Sequence, residues 1–248
     1  MSRSHHIEVI RPDWGAPENI VAVTTTRRGG FSQSCWGELN LASHVGDDPS
    51  SVMRNRSLLA DSLQLPSAPI WLEQVHGCDV VMADERGVPP PCDASVSQRS
   101  GVVCAVLTAD CLPLLLCNRE GTVVAAVHAG WRGLAAGVIE QTIAQMKCPG
   151  DQIMAWLGPA IGPDAFEVGA DVRDIFLAYQ AQAEWAFRDQ GNGKWLCDIY
   201  LLAKQRLTDL GVNQICGGDL CTYSDTERFY SYRRDGATGR MASLIWIK

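Results

Sequence analysis

The feature that most constrains the fold is a series of short runs rich in Val, Ile, Leu and Ala, several of which are apolar at every position. A strand with one solvated face alternates apolar and polar residues, so a run without alternation indicates a strand buried on both faces. Helical periodicity lies between the runs, which predicts a mixed α/β or α+β fold with covered sheets. The predicted strands are Ile20–Thr26, Pro69–Val75, Val102–Leu107, Leu112–Cys117, Thr122–His128, Ile153–Leu157 and Ala242–Ile247.

Four segments carry apolar residues at helical spacing. Asp198 is a predicted N-cap, because its carboxylate accepts free backbone N–H groups, and Gly211 is the predicted end of that helix. No repeat or Gly/Ser linker divides the chain, and Pro89-Pro90-Pro91 is interpreted as a rigid loop, so residues 1–248 are predicted to form one domain. The helical segments begin at Asp48-Pro49, at Gly133 (running to Lys147), near Asp171 and at Asp198.

Charge and hydropathy exclude several classes of protein. Lys and Arg number 21 against 28 Asp and Glu, a net charge of −7 that argues against a nucleic-acid or membrane-surface partner. The longest apolar run, Val102 to Cys117, contains Asp110 and Pro113 and is shorter than the roughly 18 residues of a membrane span. The first thirty residues lack the apolar core of a signal peptide, so we expect a cytoplasmic protein.

Ten cysteines against five histidines are the unusual entries in the composition. Without an export signal the thiols are expected to be reduced and free of structural disulfides. The absence of any Cys-x-x-Cys pair excludes a zinc-finger type of module. His5 and His6 lie near the N-terminus and His44 lies in a loop, whereas His76 and His128 follow buried-looking strands.

Three strand ends carry a potential metal or proton-transfer ligand: His76, the pair Asp110 and Cys111, and His128. Taken singly, a strand-end His is usually structural and a buried Cys is usually an apolar filler. Taken together, two imidazoles and one thiol beside Gly or Asp turns are candidates to converge on one divalent metal. Three protein ligands with an open fourth position are typical of catalytic zinc.

Two glycine-rich segments are candidate anion sites. Gly130 and Gly133 bracket the start of a predicted helix, where free N–H groups and the cation of Arg132 favour an anion. Arg27, in the run Thr-Arg-Arg-Gly-Gly, is the second candidate, with Asn40 nearby in sequence. A tight strand-to-helix turn and a solvated basic turn are the alternative interpretations of these two segments.

The C-terminal segment 221–235 mixes aromatic rings with arginines. Such a mixture is predicted to line a pocket for a flat ligand, since rings and guanidinium planes stack on heterocycles. Aromatic packing beneath a loop is the alternative. Arg240, which leads into the last strand, is interpreted as structural.

Five ordered motifs resemble the YfiH-type laccase-domain family over nearly the whole chain. The resemblance implies a single-domain layered α/β sandwich with sheets between helices, related to bacterial toxin deamidases that use Cys and His. The positions that match the family's zinc ligands are His76, Cys111 and His128, which implies one zinc ion per chain. The motifs are Trp71–Gly77, Thr108–Pro113, Val127–Gly133, Leu157–Gly162 and Ser231–Asp235.

The resemblance also implies activities. Family members are described as purine nucleoside phosphorylases acting on adenosine, inosine and methylthioadenosine, with adenosine deaminase activity, and earlier as polyphenol oxidases. Bacterial members are linked to peptidoglycan editing. The implied partners are therefore a purine nucleoside and phosphate, with a peptidoglycan precursor as the alternative. Asp164 and Ser224 stand where many relatives have Cys, and neither departure touches the implied ligands.

For phosphorolysis, Arg27, Asn40 and Arg132 are the predicted phosphate contacts, and either metal-bound water or Asp110 is predicted to manage a proton at the departing purine. Together with Asp110, the three implied metal ligands are the predicted catalytic residues. The H-x-E signature of zinc nucleobase deaminases is absent, so a deaminase activity would need another arrangement.

Other mechanisms remain open. A blue-copper centre needs two His and one Cys, which this chain has. A multicopper cluster needs many more imidazoles than the chain contains. Phenol oxidation with copper bound at the His and Cys residues is therefore expected only as a side activity. A metal-free alternative is a Cys-His amidase-like hydrolase in which His76 or His128 activates Cys111 as a nucleophile. A zinc-stabilised binding module without catalysis is the third class.

Overall fold

The computed structural model describes residues 6–83 and 90–248, so His5 and Pro89 lie outside the described residues. Within that part of the chain, the strands are β1 (Val9–Ile10), β2 (Ile20–Thr25), β3 (Ile70–Trp71), β4 (Val80–Met82), β5 (Ala94–Ser97), β6 (Cys104–Thr108), β7 (Leu112–Asn118), β8 (Val124–Ala129), β9 (Ile153–Leu157), β10 (Glu167–Gly169), β11 (Phe187–Gly191), β12 (Lys194–Cys197), β13 (Gln214–Gly217) and β14 (Met241–Ile247). The α-helices are α1 (Pro49–Leu63), α2 (Trp131–Ala136), α3 (Val138–Met146), α4 (Ala170–Tyr179), α5 (Ile199–Asp209) and α6 (Tyr232–Asp235). Short 3-10 helices cover Ser34–Trp36, Gly150–Gln152 and Ala181–Ala186.

Two large sheets pack face to face, one in the order β1-β2-β14-β6-β3 and the other in the order β13-β9-β7-β8-β5-β4. Alternation along β7 shows how the second sheet is covered. Leu115 and Cys117 pack between the sheets, in one cluster with side chains of β6 and β14. Leu114 and Leu116 face the other way, in one cluster with Ile139 of α3 and with α4 and α5. Both faces of this sheet are therefore buried, as the unbroken apolar runs predict.

The outer face of the first sheet is covered by α1, because Val23 and Leu244 share a buried cluster with Leu59. The result is a helix–sheet–sheet–helix arrangement, which confirms the predicted layered α/β fold. A smaller sheet, β10-β12-β11, packs beside α4. All ten cysteines carry free thiols, and no helix of the described residues is long and apolar enough to cross a membrane.

The predicted second helix is the clearest correction to the sequence analysis. Instead of one helix over 133–147, the chain forms α2 and α3, which meet at Gly137 with a φ of 94°. That left-handed conformation ends α2, and a glycine adopts it without steric penalty. Helix α2 also begins at Trp131, which places Gly133 inside it.

Several strands are absent from the sequence prediction: β1, β4, β5, β10, β11, β12 and β13. They are short, and β5 contains only small residues (Ala-Ser-Val-Ser) although all four are buried. The last four residues of β11 are exposed. Neither pattern carries the apolar signal on which strand prediction depends.

The strand ends define where a site is placed. The link from β6 to β7 crosses from the first sheet to the second, and Asp110 and Cys111 lie in that crossing. In the antiparallel β7–β8 ladder, Pro113 pairs with His128. In the β6–β14 ladder, Met241 pairs with Thr108. The end of β6, the start of β7, the end of β8 and the start of β14 therefore meet at one edge of the molecule.

Candidate metal centre and cavity

Two imidazoles and a thiol meet at this edge. The ligand atoms of His76, Cys111 and His128, which we call the donor cluster, all lie within 4.8 Å of one another. Cys111 Sγ lies 3.9 Å from His76 Nε2, and the two imidazole centroids are 4.8 Å apart, with planes inclined at 76°. His128 is buried and His76 is exposed, so the cluster opens on the His76 side. The structure thus brings together the three residues predicted to converge.

One buried carboxylate holds both imidazoles in place. Asp93 accepts the backbone N–H groups of Val75, His76 and Gly77 at 3.1, 2.9 and 2.7 Å. It also lies 2.7 Å from Nδ1 of His128. Because Nδ1 of His128 is engaged by Asp93, its Nε2 is left for the donor cluster. A carboxylate behind a histidine ligand is the usual means of orienting such a ring toward a metal.

The thiol and the buried imidazole shift each other's pKa. Burial raises the pKa of Cys111, but His128 and His76 outweigh that effect and lower it to about 6. Burial lowers the pKa of His128, but the Cys111 thiolate and Asp93 outweigh that effect and raise it to about 9. The sulfur is therefore deprotonated at neutral pH, which is the form that binds metals and attacks electrophiles.

The glycines around the donor cluster are required by close packing. A Cβ on Gly130 would lie 3.0 Å from Cys111 Sγ and 3.2 Å from His76 Cδ2. A Cβ on Gly133 would lie 2.6 Å from the carbonyl oxygen of Gly77. These contacts support the tight-turn interpretation of the segment.

A cavity of about 460 Å³ lies against the donor cluster, within the usual size range of small-molecule sites. Cationic and polar side chains line it together with aromatic and aliphatic ones. Its lining residues are His44, Gln74, His76, Leu107, Thr108, Ala109, Asp110, Cys111, His128, Trp131, Arg132, Ile161, Phe166, Ile199, Tyr232, Arg233 and Arg240.

Asp110 lies on the cavity wall, but both of its oxygens are occupied by donors. Oδ1 accepts the Thr222 hydroxyl at 2.6 Å, and Oδ2 accepts the Ser231 hydroxyl at 3.0 Å and the Arg233 backbone N–H at 2.7 Å. The carboxylate therefore holds the C-terminal segment beside the donor cluster. Through this anchoring, Tyr232 and Arg233 reach the cavity, as predicted for the aromatic and arginine-rich segment.

The predicted phosphate contacts separate in space. Arg132 lines the cavity, with its guanidinium 4.3 Å from the ring centroid of Trp131. Arg27 does not line it, since its guanidinium donates to the carbonyls of Gly37 and Thr226.

Asn40 is also absent from the lining, and its amide has a structural use. The Asn40 nitrogen donates to Ala42 O and to Asp47. Its oxygen accepts the backbone N–H groups of Ala42 and Arg240, both at 3.0 Å. Asn40 thus ties the loop that carries His44 to the start of β14.

Sequence reasoning missed Asp93, Gln74 and Arg240. Asp93 precedes a short strand of small residues, so no hydrophobic periodicity marks its position. A histidine that binds a metal usually has a carboxylate partner, and that requirement is the signal that could have led to Asp93. The Gln74 side chain pairs with both backbone groups of Leu107. Arg240, interpreted as structural, lines the cavity.

Comparison with known proteins bears on what this cavity serves. Residues 21–248 match the family described as multi-copper polyphenol oxidoreductase laccase. The chain belongs to this family. It is 55% identical, over 97% of its length and 99% of the relative, to a Shigella flexneri protein named purine nucleoside phosphorylase YfiH. It is 54% identical to a Pseudomonas aeruginosa protein named purine nucleoside phosphorylase, over 96% and 98% of the two chains.

Among solved structures, the chain resembles Neisseria meningitidis protein NMB0706 of the DUF152 family. The TM-score is 0.94 and the sequence identity is 51%, over 97% of this chain and 99% of that one. The family description and the relatives' names point to different chemistries. In the part of the chain that the structure describes, one group of three side chains is placed to hold a metal, whereas a multicopper cluster requires many more imidazoles.

Proposed function

We propose that the protein is a zinc-dependent purine nucleoside phosphorylase that acts on adenosine, inosine and methylthioadenosine in the cytoplasm. The observation that carries the proposal is the donor cluster on the wall of a cavity that is lined by both arginines and aromatic rings. The naming of relatives at 54 and 55% identity as purine nucleoside phosphorylases supports the same reaction.

The donor cluster fits one zinc ion. Two imidazoles and a thiolate are typical zinc ligands, and a group of three that faces a cavity matches the open arrangement of catalytic sites. The low pKa of Cys111, about 6, supplies the thiolate, and Asp93 orients His128. When bound, zinc supplies a Lewis-acidic positive charge beside the substrate.

Different residues of the cavity contact the purine and the anionic substrate during phosphorolysis. The rings of Trp131, Phe166 and Tyr232 provide surfaces on which a purine packs. Arg132 offers a cation to an anionic substrate. A phosphate oxygen attacks C1′ of the ribose, the C1′–N9 bond breaks with its electron pair going to the purine, and the base takes up a proton. Adenosine and inosine give ribose 1-phosphate and free purine, and methylthioadenosine gives 5-methylthioribose 1-phosphate and adenine. Positioning and charge stabilisation supply most of the rate.

The decisive test is the phosphate dependence of base release. Zinc-loaded protein is incubated with adenosine, with and without inorganic phosphate, and the products are separated by chromatography. We expect adenine and ribose 1-phosphate only when phosphate is present. Inosine formed without phosphate would instead reveal deamination. Adenine formed equally well without phosphate would exclude a phosphorylase.

The variant Cys111→Ala removes a predicted metal ligand, and Cys35→Ala, which changes an exposed thiol, is its control. We expect no turnover in the first and wild-type turnover in the second, with metal analysis giving about one zinc per chain for wild type and much less for the first variant. Full activity in Cys111→Ala with its fold intact would contradict the proposal.

The thiolate beside an imidazolium favours a second candidate, a metal-free Cys-His hydrolase acting on an amide such as a mis-assembled peptidoglycan precursor. The Cys111 thiolate would attack the amide carbonyl, the C–N bond would break as His128 protonates the amine, and water would release the acyl group. Zinc weakens a thiolate as a nucleophile, so chelation would raise this activity, whereas it abolishes phosphorolysis. Assaying both reactions before and after chelation separates the candidates.

Copper in the donor cluster remains the alternative metal. Phenol oxidation is then expected as a side activity, because two His and one Cys are also ligands of single copper sites. Protein purified with added zinc should lack this activity.

A further inference from the structure

The start of β14 places a cation beside the donor cluster. Met241 pairs with Thr108 across the β14–β6 ladder, so Arg240 lies opposite the turn that carries Cys111. Arg240 lines the same cavity as Cys111 and Asp110. Burial lowers the pKa of Arg240, and the negative charges of Cys111 and Asp110 oppose that effect.

The Arg240 guanidinium is held in place but retains free donors. Its Nη1 donates to the carbonyls of Thr238 and Gly239 at 2.8 and 3.0 Å. Within the part of the chain that the structure describes, only Nη1 of this guanidinium forms hydrogen bonds. The N–H groups on Nε and Nη2 are therefore left for a ligand. The backbone N–H of Arg240 is fixed by Asn40. A guanidinium fixed in this way is suited to an oxyanion with two or more oxygens.

A second, independent observation lies next to it. The Thr108 side chain is 1% exposed and lines the cavity. Among the described residues, its hydroxyl has no hydrogen-bond partner. Buried hydroxyls are rarely left unpaired, so an unpaired one on a cavity wall indicates a polar ligand atom.

The imidazole of His44 lines the same cavity. Burial, followed by the charges of Arg240 and Arg56, lowers the pKa of His44. The lining therefore offers a guanidinium, a hydroxyl and an imidazole, together with apolar surface from Trp131, Phe166 and Ile199 that is suited to a base.

We propose that Arg240, Thr108 and His44 form the phosphate-binding wall of the cavity. This inference rests on the proposed phosphorylase function and adds the residues that hold its inorganic substrate. Arg240 binds two phosphate oxygens, and the Thr108 hydroxyl donates a hydrogen bond to a third oxygen. His44 lies beside the same phosphate. Asn40 acts as a positioning residue, since it holds the backbone of Arg240.

The test is calorimetric titration of zinc-loaded, full-length protein with inorganic phosphate, together with KM values for phosphate and for nucleoside. Arg240→Gln removes the charge, Thr108→Val removes the hydroxyl at constant shape, and Arg188→Gln, which changes an exposed arginine paired with Asp164, is the control. We expect the Kd for phosphate to rise about tenfold or more in Arg240→Gln and about threefold in Thr108→Val. The control should match wild type, and KM for nucleoside should change less than KM for phosphate.

Wild-type phosphate affinity in both Arg240→Gln and Thr108→Val would overturn the inference, as would a wild-type protein that binds no phosphate. If Arg240→Gln does not fold, Thr108→Val alone decides. A rise in KM for nucleoside with an unchanged KM for phosphate would assign the wall to the nucleoside and also overturn the inference. If the wild-type protein binds phosphate but releases no base, the proposed phosphorylase function is wrong, while the proposed phosphate-binding wall still stands.

Discussion

At Asp93, one carboxylate accepts three backbone N–H groups and contacts His128 Nδ1. Those contacts connect the loop that carries His76 to the strand that carries His128. The relative position of two predicted metal ligands therefore depends on a residue that does not line the cavity. Asp93 acts on the site through other residues.

We predict that Asp93→Asn weakens zinc binding by about 10- to 100-fold, the usual effect of losing a carboxylate behind a histidine ligand. The amide retains one acceptor oxygen but turns an N–H₂ toward donors. Zinc affinity measured by competition with a chromophoric chelator checks this result. Asp61→Asn, at an exposed position of α1, is the control. Unchanged affinity in Asp93→Asn would show that packing alone holds the imidazoles.

The low pKa of Cys111 predicts the pH dependence of its alkylation in zinc-free protein. Because the folded-state pKa lies at about 6, the thiolate is present above that pH and is lost as the pH falls through it. We expect the rate of iodoacetamide labelling, followed by mass spectrometry of the Cys111 peptide, to have a midpoint near pH 6. In His128→Ala the midpoint should move to higher pH, because His128 is a major cause of the lowered pKa of Cys111. A midpoint near pH 9 in wild type would contradict the interaction of Cys111 with the two imidazoles.

At the scale of secondary-structure elements, the start of α2 packs against the donor cluster: a Cβ on Gly130, its N-cap residue, would lie 3.0 Å from Cys111 Sγ. Its Gly133 faces the carbonyl of Gly77, one residue after His76. Gly137 and Lys147, both in the left-handed conformation, end α2 and α3, so the region forms two short helices in place of one. The position of α2 therefore determines how far the His76 loop can approach Cys111.

We predict that Gly133→Ala disturbs the site, because its Cβ would lie 2.6 Å from Gly77 O. Overpacking of this kind costs about 1 to 3 kcal/mol, so chemical denaturation should show that loss together with weaker zinc binding. Gly77→Ala is the matched control on the other side of the same contact, since its Cβ meets ordinary contacts at 3.6 Å. Equal stability of the two variants would mean that α2 moves freely.

On the scale of the whole molecule, the layers are complete without the donor cluster. The apolar clusters between the sheets and beneath the helices consist of buried residues, of which a few, such as Leu107, Phe166 and Ile199, also line the cavity. The cluster lies where strands end, at an edge of this core. Metal binding is therefore expected to add stability to a protein that is already folded.

Chelation should abolish phosphorolysis and leave the far-UV circular dichroism spectrum unchanged. Zinc at 100 times its Kd adds about 2.7 kcal/mol, so removing it should lower Tm by roughly 5 to 10 °C for a chain of this size. Thermal scans with and without chelator measure this shift. Loss of the cooperative transition after chelation would favour the zinc-stabilised binding module instead.

The layered architecture could be predicted because unbroken apolar runs such as Leu112–Cys117 indicate strands that are buried on both faces. Such runs consist of consecutive residues, so they can be recognised in the sequence alone. The same holds for the cap at Asp198, whose carboxylate accepts the Leu201 N–H as predicted. The break at Gly137 could not be predicted, because helical periodicity continues across it, and packing determines whether a glycine there turns left-handed.

The sequence by itself determined which side chains were available to bind a metal. It predicted His76 at the end of a strand over Pro69–Val75, but β3 ends at Trp71 and His76 lies in the loop that follows. Only the tertiary structure decided which residues surround those side chains. Asp93 and Arg240 reach the site through strand pairing between distant segments, while Arg27 and Asn40 are turned to other hydrogen bonds. Local patterns record burial and backbone conformation, whereas a site depends on side chains that meet across sheets, and that meeting is set by register and packing.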